Sequence, residues 1–273
     1  MGSALLAQSL EPRVYFEEGD FIAMKKLTIF ITLACVVMIS PMVLAQNWQP
    51  GGDWIAKWWG LTLVTETGGF GTSAGKDYLL IGSQKANEDF GTPIISNASV
   101  STRDGAGKTA NAIVYLTEED ATPGPYTWGV VDLNVEDQFN MSTSHGFGDA
   151  SNITWHGLIA IVSPDERTTT MHPAHDDHAQ IWLNGEMVYD NSRWTGGAQA
   201  VTTPTEIQLK KGENYLHYKC GESGGADYVN LRLEPTDADL LIAPTLDNIF
   251  LEVLTPVEPK GKLATQWAAL KRK

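Results

Sequence analysis

Beyond residue 46 the apolar positions fall in short runs, many of them alternating with polar ones, and clusters of Gly, Pro, Asn and Asp separate the runs. Alternation sends successive side chains to opposite faces of an extended chain, so the pattern predicts antiparallel strands rather than helices. The predicted strands span 61–65, 77–81, 112–117, 127–133, 154–162, 179–183, 186–189, 206–209, 215–220 and 228–233. No long stretch keeps a 3.6-residue period. Many short strands joined by Gly-rich turns define the expected fold class as all-β, an antiparallel β-sandwich of the jelly-roll kind. The sharpest local signal is Asn184-Gly185 between the runs Ile181-Trp182-Leu183 and Glu186-Met187-Val188-Tyr189. A two-residue type I′ turn needs positive φ at both central positions, which Asn-Gly supplies, so a hairpin is predicted there. A second turn at Lys210 to Asn214 leads into a strand on which Leu216, Tyr218 and Cys220 share a face, which makes Cys220 a small core residue.

The first 45 residues follow a different pattern. Met24-Lys25-Lys26, the apolar run Leu27 to Ile39 and the small-residue stretch ending at Ala45 have the three parts of a secretory signal peptide. The run is shorter than the roughly 20 residues of a membrane span. We expect cleavage after Ala45, leaving no transmembrane segment, and we expect Met24 to be the true start. Residues 1–23 then form a spurious or non-structural leader. The residues before Cys35 fit a lipoprotein signal poorly. The expected organisation is 1–23 leader, 24–45 signal peptide, 46–255 β-sandwich domain, and 256–273 linker with a short basic amphipathic tail. In that tail Leu263, Trp267 and Leu270 fall on one helical face ahead of Lys271-Arg272-Lys273, which predicts a short C-terminal helix.

Charge narrows the function classes. The chain of 273 residues has 19 Lys+Arg against 33 Asp+Glu, a formal net charge of −14. Residues 1–45 hold only three of the basic groups (Arg13, Lys25, Lys26) and four of the acidic ones (Glu11, Glu17, Glu18, Asp20), so the body stays acidic. The remaining basic residues are too scattered to make a phosphate-binding face, and nucleic acid is excluded as a partner. A hydrophobic content of 42% argues against disorder. Once Cys35 leaves with the signal, Cys220 has no disulfide partner, so stability must come from the apolar core. Three Asn-X-Ser/Thr triplets, at Asn97, Asn140 and Asn152, are read as chance matches behind a bacterial-looking leader.

The stretch His175-Asp176-Asp177-His178-Ala179-Gln180-Ile181-Trp182-Leu183-Asn184-Gly185-Glu186 to Asn191 resembles the Asp-Asp, strand, Asn-Gly hairpin of the protective-antigen-type carbohydrate-binding domains. The run from Leu209 to Leu233 is similar to the closing strands of galactose-binding-like jelly-roll modules. From first to last the two stretches span about 60 residues of the chain, 175–233. The resemblance implies an exported, non-catalytic, lectin-like module whose partner is a glycan or cell-envelope polysaccharide. It also implies that Asp176 and Asp177 hold a calcium ion, which in turn holds sugar hydroxyls; hard oxygen ligands suit that ion. The same Asp pair also reads as turn chemistry satisfying local backbone donors.

Other constellations compete. His172, His175 and His178 recur at intervals of three beside two carboxylates, a ligand set of the kind zinc takes, but Pro173 places them on a loop or strand entry, where such spacing sends side chains to opposite faces. Gly221-Glu222-Ser223-Gly224-Gly225 mimics a hydrolase nucleophile motif. The elbow form requires a helix directly after the serine, and a strand is predicted there instead. Among the nine Trp, Trp194 lies in a predicted loop beside Arg193 and is the candidate for stacking on a sugar ring, or else for packing over the sandwich edge. The expected ligand-binding residues are Asp176, Asp177, Arg193, Trp194 and Asp227. The expected function is calcium-assisted carbohydrate binding by a secreted, periplasmic or cell-surface protein. The alternatives are an extracellular structural or interaction module without a sugar ligand, and a zinc-dependent or serine hydrolase.

Overall fold

The computed structural model describes residues 47–66, 73–195, 197–200 and 203–251. The expected leader, signal peptide, linker and C-terminal helix lie outside the described residues. Among the described residues the strands are β1 (Gln49–Pro50), β2 (Lys57–Leu61), β3 (Val64–Thr65), β4 (Val114–Leu116), β5 (Gly124–Tyr126), β6 (Trp128–Asp132), β7 (Ile153–Ser163), β8 (Arg167–His175), β9 (His178–Leu183), β10 (Glu186–Asn191), β11 (Thr205–Leu209), β12 (Gly212–Glu222), β13 (Val229–Arg232) and β14 (Leu241–Ala243). The helices are α1 (Tyr78–Phe90), α2 (Arg103–Lys108) and α3 (Met141–Ser144). No helix among the described residues is long and apolar enough to cross a membrane.

The strands form an antiparallel β-sandwich. The main sheet runs β1-β14-β7-β12-β9-β10, with β2 and β3 also pairing β7 and with β6 beside β2; a smaller sheet runs β11-β8-β13. Alternation along the central strands sorts their side chains between two apolar cores. Trp155, Ile159 and Ile161 of β7 and Leu216, Tyr218 and Cys220 of β12 meet Met171, Ile207 and Leu231 of the smaller sheet. The intervening Leu158, Ala160 and Tyr215 face the other way, against Tyr78 and Leu79 of α1, Ala106 of α2 and Val114 and Leu116 of β4. A helical cap therefore covers the outer face of the main sheet.

The hairpin at Asn184-Gly185 forms as expected, with φ of 52° and 95° at its two central residues, and Leu183 pairs with Glu186. Cys220 is free and fully buried. The strand expected at 77–81 is instead the first turn of α1. The Asp77 side chain accepts the Leu80 N–H at 3.0 Å as an N-cap, and Gly91 closes the helix in the left-handed conformation. The buried face of this helix includes Gly82, Ser83 and Ala86, small residues that carry little hydropathy signal. They are small because the helix lies directly on β4; a Cβ at Gly82 would meet Val114 Cγ1 at 2.5 Å.

Residues 172–175, expected in a loop or strand entry, complete β8. The first half of β8 pairs with β11 as far as Met171, and the second half pairs with β13. Pro173 sits opposite Leu231 of β13, beyond the end of β11, where the strand has one neighbour and a missing N–H is tolerated.

In the sandwich core Trp58 packs edge-on against Trp155 at 5.7 Å and Tyr218 at 5.8 Å. Gly157 leaves room for these rings, since a Cβ there would lie 2.3 Å from Trp155 Cη2 and 2.9 Å from Trp58 Cε3. Gly157→Ala is expected to cost about 1–3 kcal/mol through overpacking. Urea denaturation measures this, and an unchanged midpoint would show that the ring cluster yields freely.

Candidate functional site

The site begins where the chain crosses between layers. His175 ends β8 in the smaller sheet and His178 begins β9 in the main sheet, so Asp176 and Asp177 alone span the gap. Each sheet holds one of them by its backbone. The Asp176 N–H donates to the Tyr228 carbonyl beside β13 at 3.1 Å, and the Asp177 N–H donates to the Gly221 carbonyl of β12 at 2.9 Å. The peptide joining the two aspartates is cis. Because β12 ends one residue after Gly221, its last residue, Glu222, arrives beside the pair. Ligand oxygens of Asp176, Asp177 and Glu222 all lie within 4.8 Å of one another.

This is a costly arrangement for three acids. Glu222 is fully buried, and neither of its carboxylate oxygens has a hydrogen-bond partner. Burial, then Asp177 and Asp176, push its pKa up to about 8. Burial, then Asp177 and Asp227, push Asp176 up to about 7. At Asp177 burial acts upward too, but it is outweighed by the Ser223 hydroxyl, which donates to Oδ2 at 2.7 Å, and the Ser223 N–H at 3.2 Å, so this carboxyl stays below its ordinary value. Ser223 thus favours the charged form of Asp177, whereas burial and mutual repulsion outweigh any such support at Asp176 and Glu222 and leave them to take up a proton or a cation.

Ser223 is consequently wired as support for Asp177. No helix follows it; β13 does, as the sequence predicts. The three histidines are not brought together. His172 Nε2 meets Glu234 at 2.8 Å. His175 Nδ1 lies 3.1 Å from the Asp177 carbonyl, which can only accept, so that nitrogen donates and Nε2 accepts from the Tyr189 hydroxyl at 2.8 Å. His178 is fully buried, with Asp190 at 3.8 Å and no hydrogen bond at either ring nitrogen. Burial pushes His175 and His178 each down to about 4. The spacing that suggested zinc spreads these side chains over two sheets, because β8 and β9 belong to different layers.

Of the other expected residues, Trp194 is 57% exposed, and its indole N–H donates to the Tyr228 hydroxyl. Since the Tyr228 carbonyl also holds Asp176, the exposed ring is tied to the carboxylate crossing. Arg193 is exposed beside it, its N–H donating to Asn191 Oδ1 at 3.0 Å. Asp227 is 1% exposed and sits behind the rim: the Ser142 hydroxyl of α3 donates to its Oδ2, and its carbonyl accepts the Met141 N–H at 2.7 Å. Burial raises its pKa to about 6 against the Ser142 bond. Sequence reasoning missed Glu222, which is far from Asp176 in the chain and lay inside the Gly221 to Gly225 segment weighed as a nucleophile motif.

No family model matches the chain, and no curated protein matches it. Solved structures similar to parts of it include an anti-sigma factor domain-containing protein from Clostridium clariflavum, with 16% identity and a TM-score of 0.29 over 37% of this chain and 33% of that one. The chain thus spans about a third of the length of that protein. They also include a family 35 carbohydrate binding module from an environmental isolate, at 16% identity and TM-score 0.25 over 36% of this chain and 74% of that one. A PA14 sugar-binding domain from an RTX adhesin has 17% identity and TM-score 0.28 over 66% of this chain and 89% of that one.

The raised carboxyls have a definite consequence for stability. A carboxyl whose folded pKa exceeds its unfolded value stabilises the fold below the unfolded value, and that contribution is lost as pH rises through the folded one. The histidines shift the opposite way and lose their contribution only below their ordinary value of 6.5, so between pH 6.5 and about 8 Asp176 and Glu222 set the slope, opposed toward the upper end by Lys219, which burial holds down to about 8. In chelator, the melting temperature is expected to fall as pH rises across that window, and Glu222→Gln to flatten the fall. A melting temperature that rises with pH there would contradict the assignment.

Proposed function

We propose that this protein is an exported glycan-binding module whose site is a calcium ion held by Asp176, Asp177 and Glu222, with Trp194 as the stacking surface and Arg193 beside it. The observation that carries the reading is Glu222, a fully buried carboxylate with both oxygens unpartnered, grouped with two more carboxylates within 4.8 Å. A divalent cation satisfies those oxygens and removes the mutual repulsion. The donors are all hard carboxylate oxygens, which suit calcium; zinc favours the nitrogen and sulfur ligands that this cluster lacks.

Three carboxylates leave coordination positions to be completed by water or by ligand hydroxyls, since calcium takes six to eight oxygens. Asp176 and Asp177 are only half-buried, so the ion would face outward. A sugar offers vicinal hydroxyls to such an ion and an apolar C–H face to an exposed indole, and here the Tyr228 side chain and backbone tie the two features together. A secreted, periplasmic or cell-surface location agrees with the signal-like segment 24–45, and there a calcium affinity of about 10⁻⁴–10⁻³ M, as extracellular modules have, suffices. This reading assigns no catalytic residue.

Calorimetry with calcium, followed by a glycan array with and without chelator, tests both halves. Calcium is expected to bind stoichiometrically and to raise the melting temperature, and Asp176→Asn or Glu222→Gln to weaken it by tenfold or more, that is by about 1.4 kcal/mol or more. Trp194→Ala is expected to abolish glycan retention while leaving calcium affinity within about twofold, a surface change with little effect on folding. Glycan retention that is indifferent to chelator would remove the ion from the reading; no retention under either condition would remove the glycan.

A further inference from the structure

Resting on the calcium reading, we infer that the glycan bound at this site carries protonated amino groups and that anionic sugars are rejected. The observation is a charge imbalance around the crossing. Asp176, Asp177 and Glu222 form the ion site, and Asp227 stands behind Asp176, close enough for its charge to act on it. Asp149 acts in the same way on Asp227. Glu222 and Asp227 are buried beyond nine-tenths, and Glu222 Oε1 and Oε2 and Asp227 Oδ1 have no hydrogen-bond partner. None of these five acids forms an ion pair among the described residues. The amine of Lys219, on the adjoining strand β12, is turned to the cap, where it donates to the carbonyls of Ser73 and Lys76.

A divalent ion cancels two of these negative charges, and Arg193, exposed on the rim, offsets one more. The site therefore remains negative with its ion in place, in a partly desolvated setting where screening is weak. A uronate or sulfated sugar would add to the excess. A sugar bearing an ammonium group would relieve it, while its hydroxyls complete the ion and its C–H face lies on Trp194.

The test is titration calorimetry of the full chain in calcium against three oligosaccharides of equal length: a glucosamine oligomer, its N-acetylated counterpart and a galacturonate oligomer. The glucosamine oligomer is expected to bind about tenfold tighter than the N-acetylated one, a step of about 1.4 kcal/mol, with the advantage shrinking as sodium chloride is raised. The galacturonate oligomer is expected not to bind. Asp149→Asn, at an exposed position outside the ion site, is expected to narrow the amine preference without changing calcium affinity. Equal or tighter binding of the N-acetylated oligomer, or binding of the galacturonate oligomer, with calcium dependence intact, would overturn the inference and leave the calcium reading standing. Calcium binding with none of the three oligosaccharides retained, and none on a wider array, would overturn the glycan reading and this inference with it.

Discussion

Eleven consecutive residue pairs, from Ile153↔Glu222 to Ser163↔Gly212, hold β7 against β12, and β12 carries β9 on its other edge. This ladder is the constraint on which the remainder rests. Strand alternation divides its side chains between the sandwich core and the cap, and its register places each apolar residue on the correct side, since a slip of one position would exchange the two faces. The same register sets where β12 stops. Glu222 is its last residue, opposite Ile153, and that endpoint delivers a carboxylate to the place where Asp176 and Asp177 cross between the sheets.

The cap matters because it closes the outer face of a sheet whose central strands are apolar on both sides. It is fastened by polar contacts as well as by packing. The Tyr78 hydroxyl donates to Glu66 at 2.5 Å, the Lys219 amine reaches the Lys76 carbonyl at 2.7 Å, and His217 Nδ1 lies 2.9 Å from the Asn97 carbonyl with its ring stacked on Trp182. Each of these buried groups finds a partner across the junction, which is the condition for burying polar atoms without a large loss of stability. At the crossing that condition fails for Glu222, as it also does for His156 Nε2 and Asn97 Oδ1 at the junction, so what sets the crossing apart is the grouping of Glu222 with two further carboxyls.

Most strands were legible because they alternate and are bounded by turn residues, and the turn of the Asn184-Gly185 hairpin was legible because its backbone angles demand those residues, though not the register shift between Met187 and Tyr189. The helix α1 was not. Its contact face uses Gly82, Ser83 and Ala86, chosen for close approach rather than for hydropathy, and an apolar start at Tyr78 to Ile81 imitates a strand. In the same way, Pro173 reads as an interruption until the sheet shows it lying past the end of β11.

The Asp176-Asp177 pair, the loop position of Trp194 and the core position of Cys220 were determined by local sequence, since turn chemistry and alternation act over a few residues. Tertiary structure decided which acids meet. It scattered His172, His175 and His178, withdrew Asp227 behind Ser142, turned Ser223 into a donor for Asp177, and brought Glu222 across from the end of another strand. The physical reason is that the meeting of these groups depends on the order and register of paired strands, and pairing joins residues whose separation in the chain leaves no periodic trace.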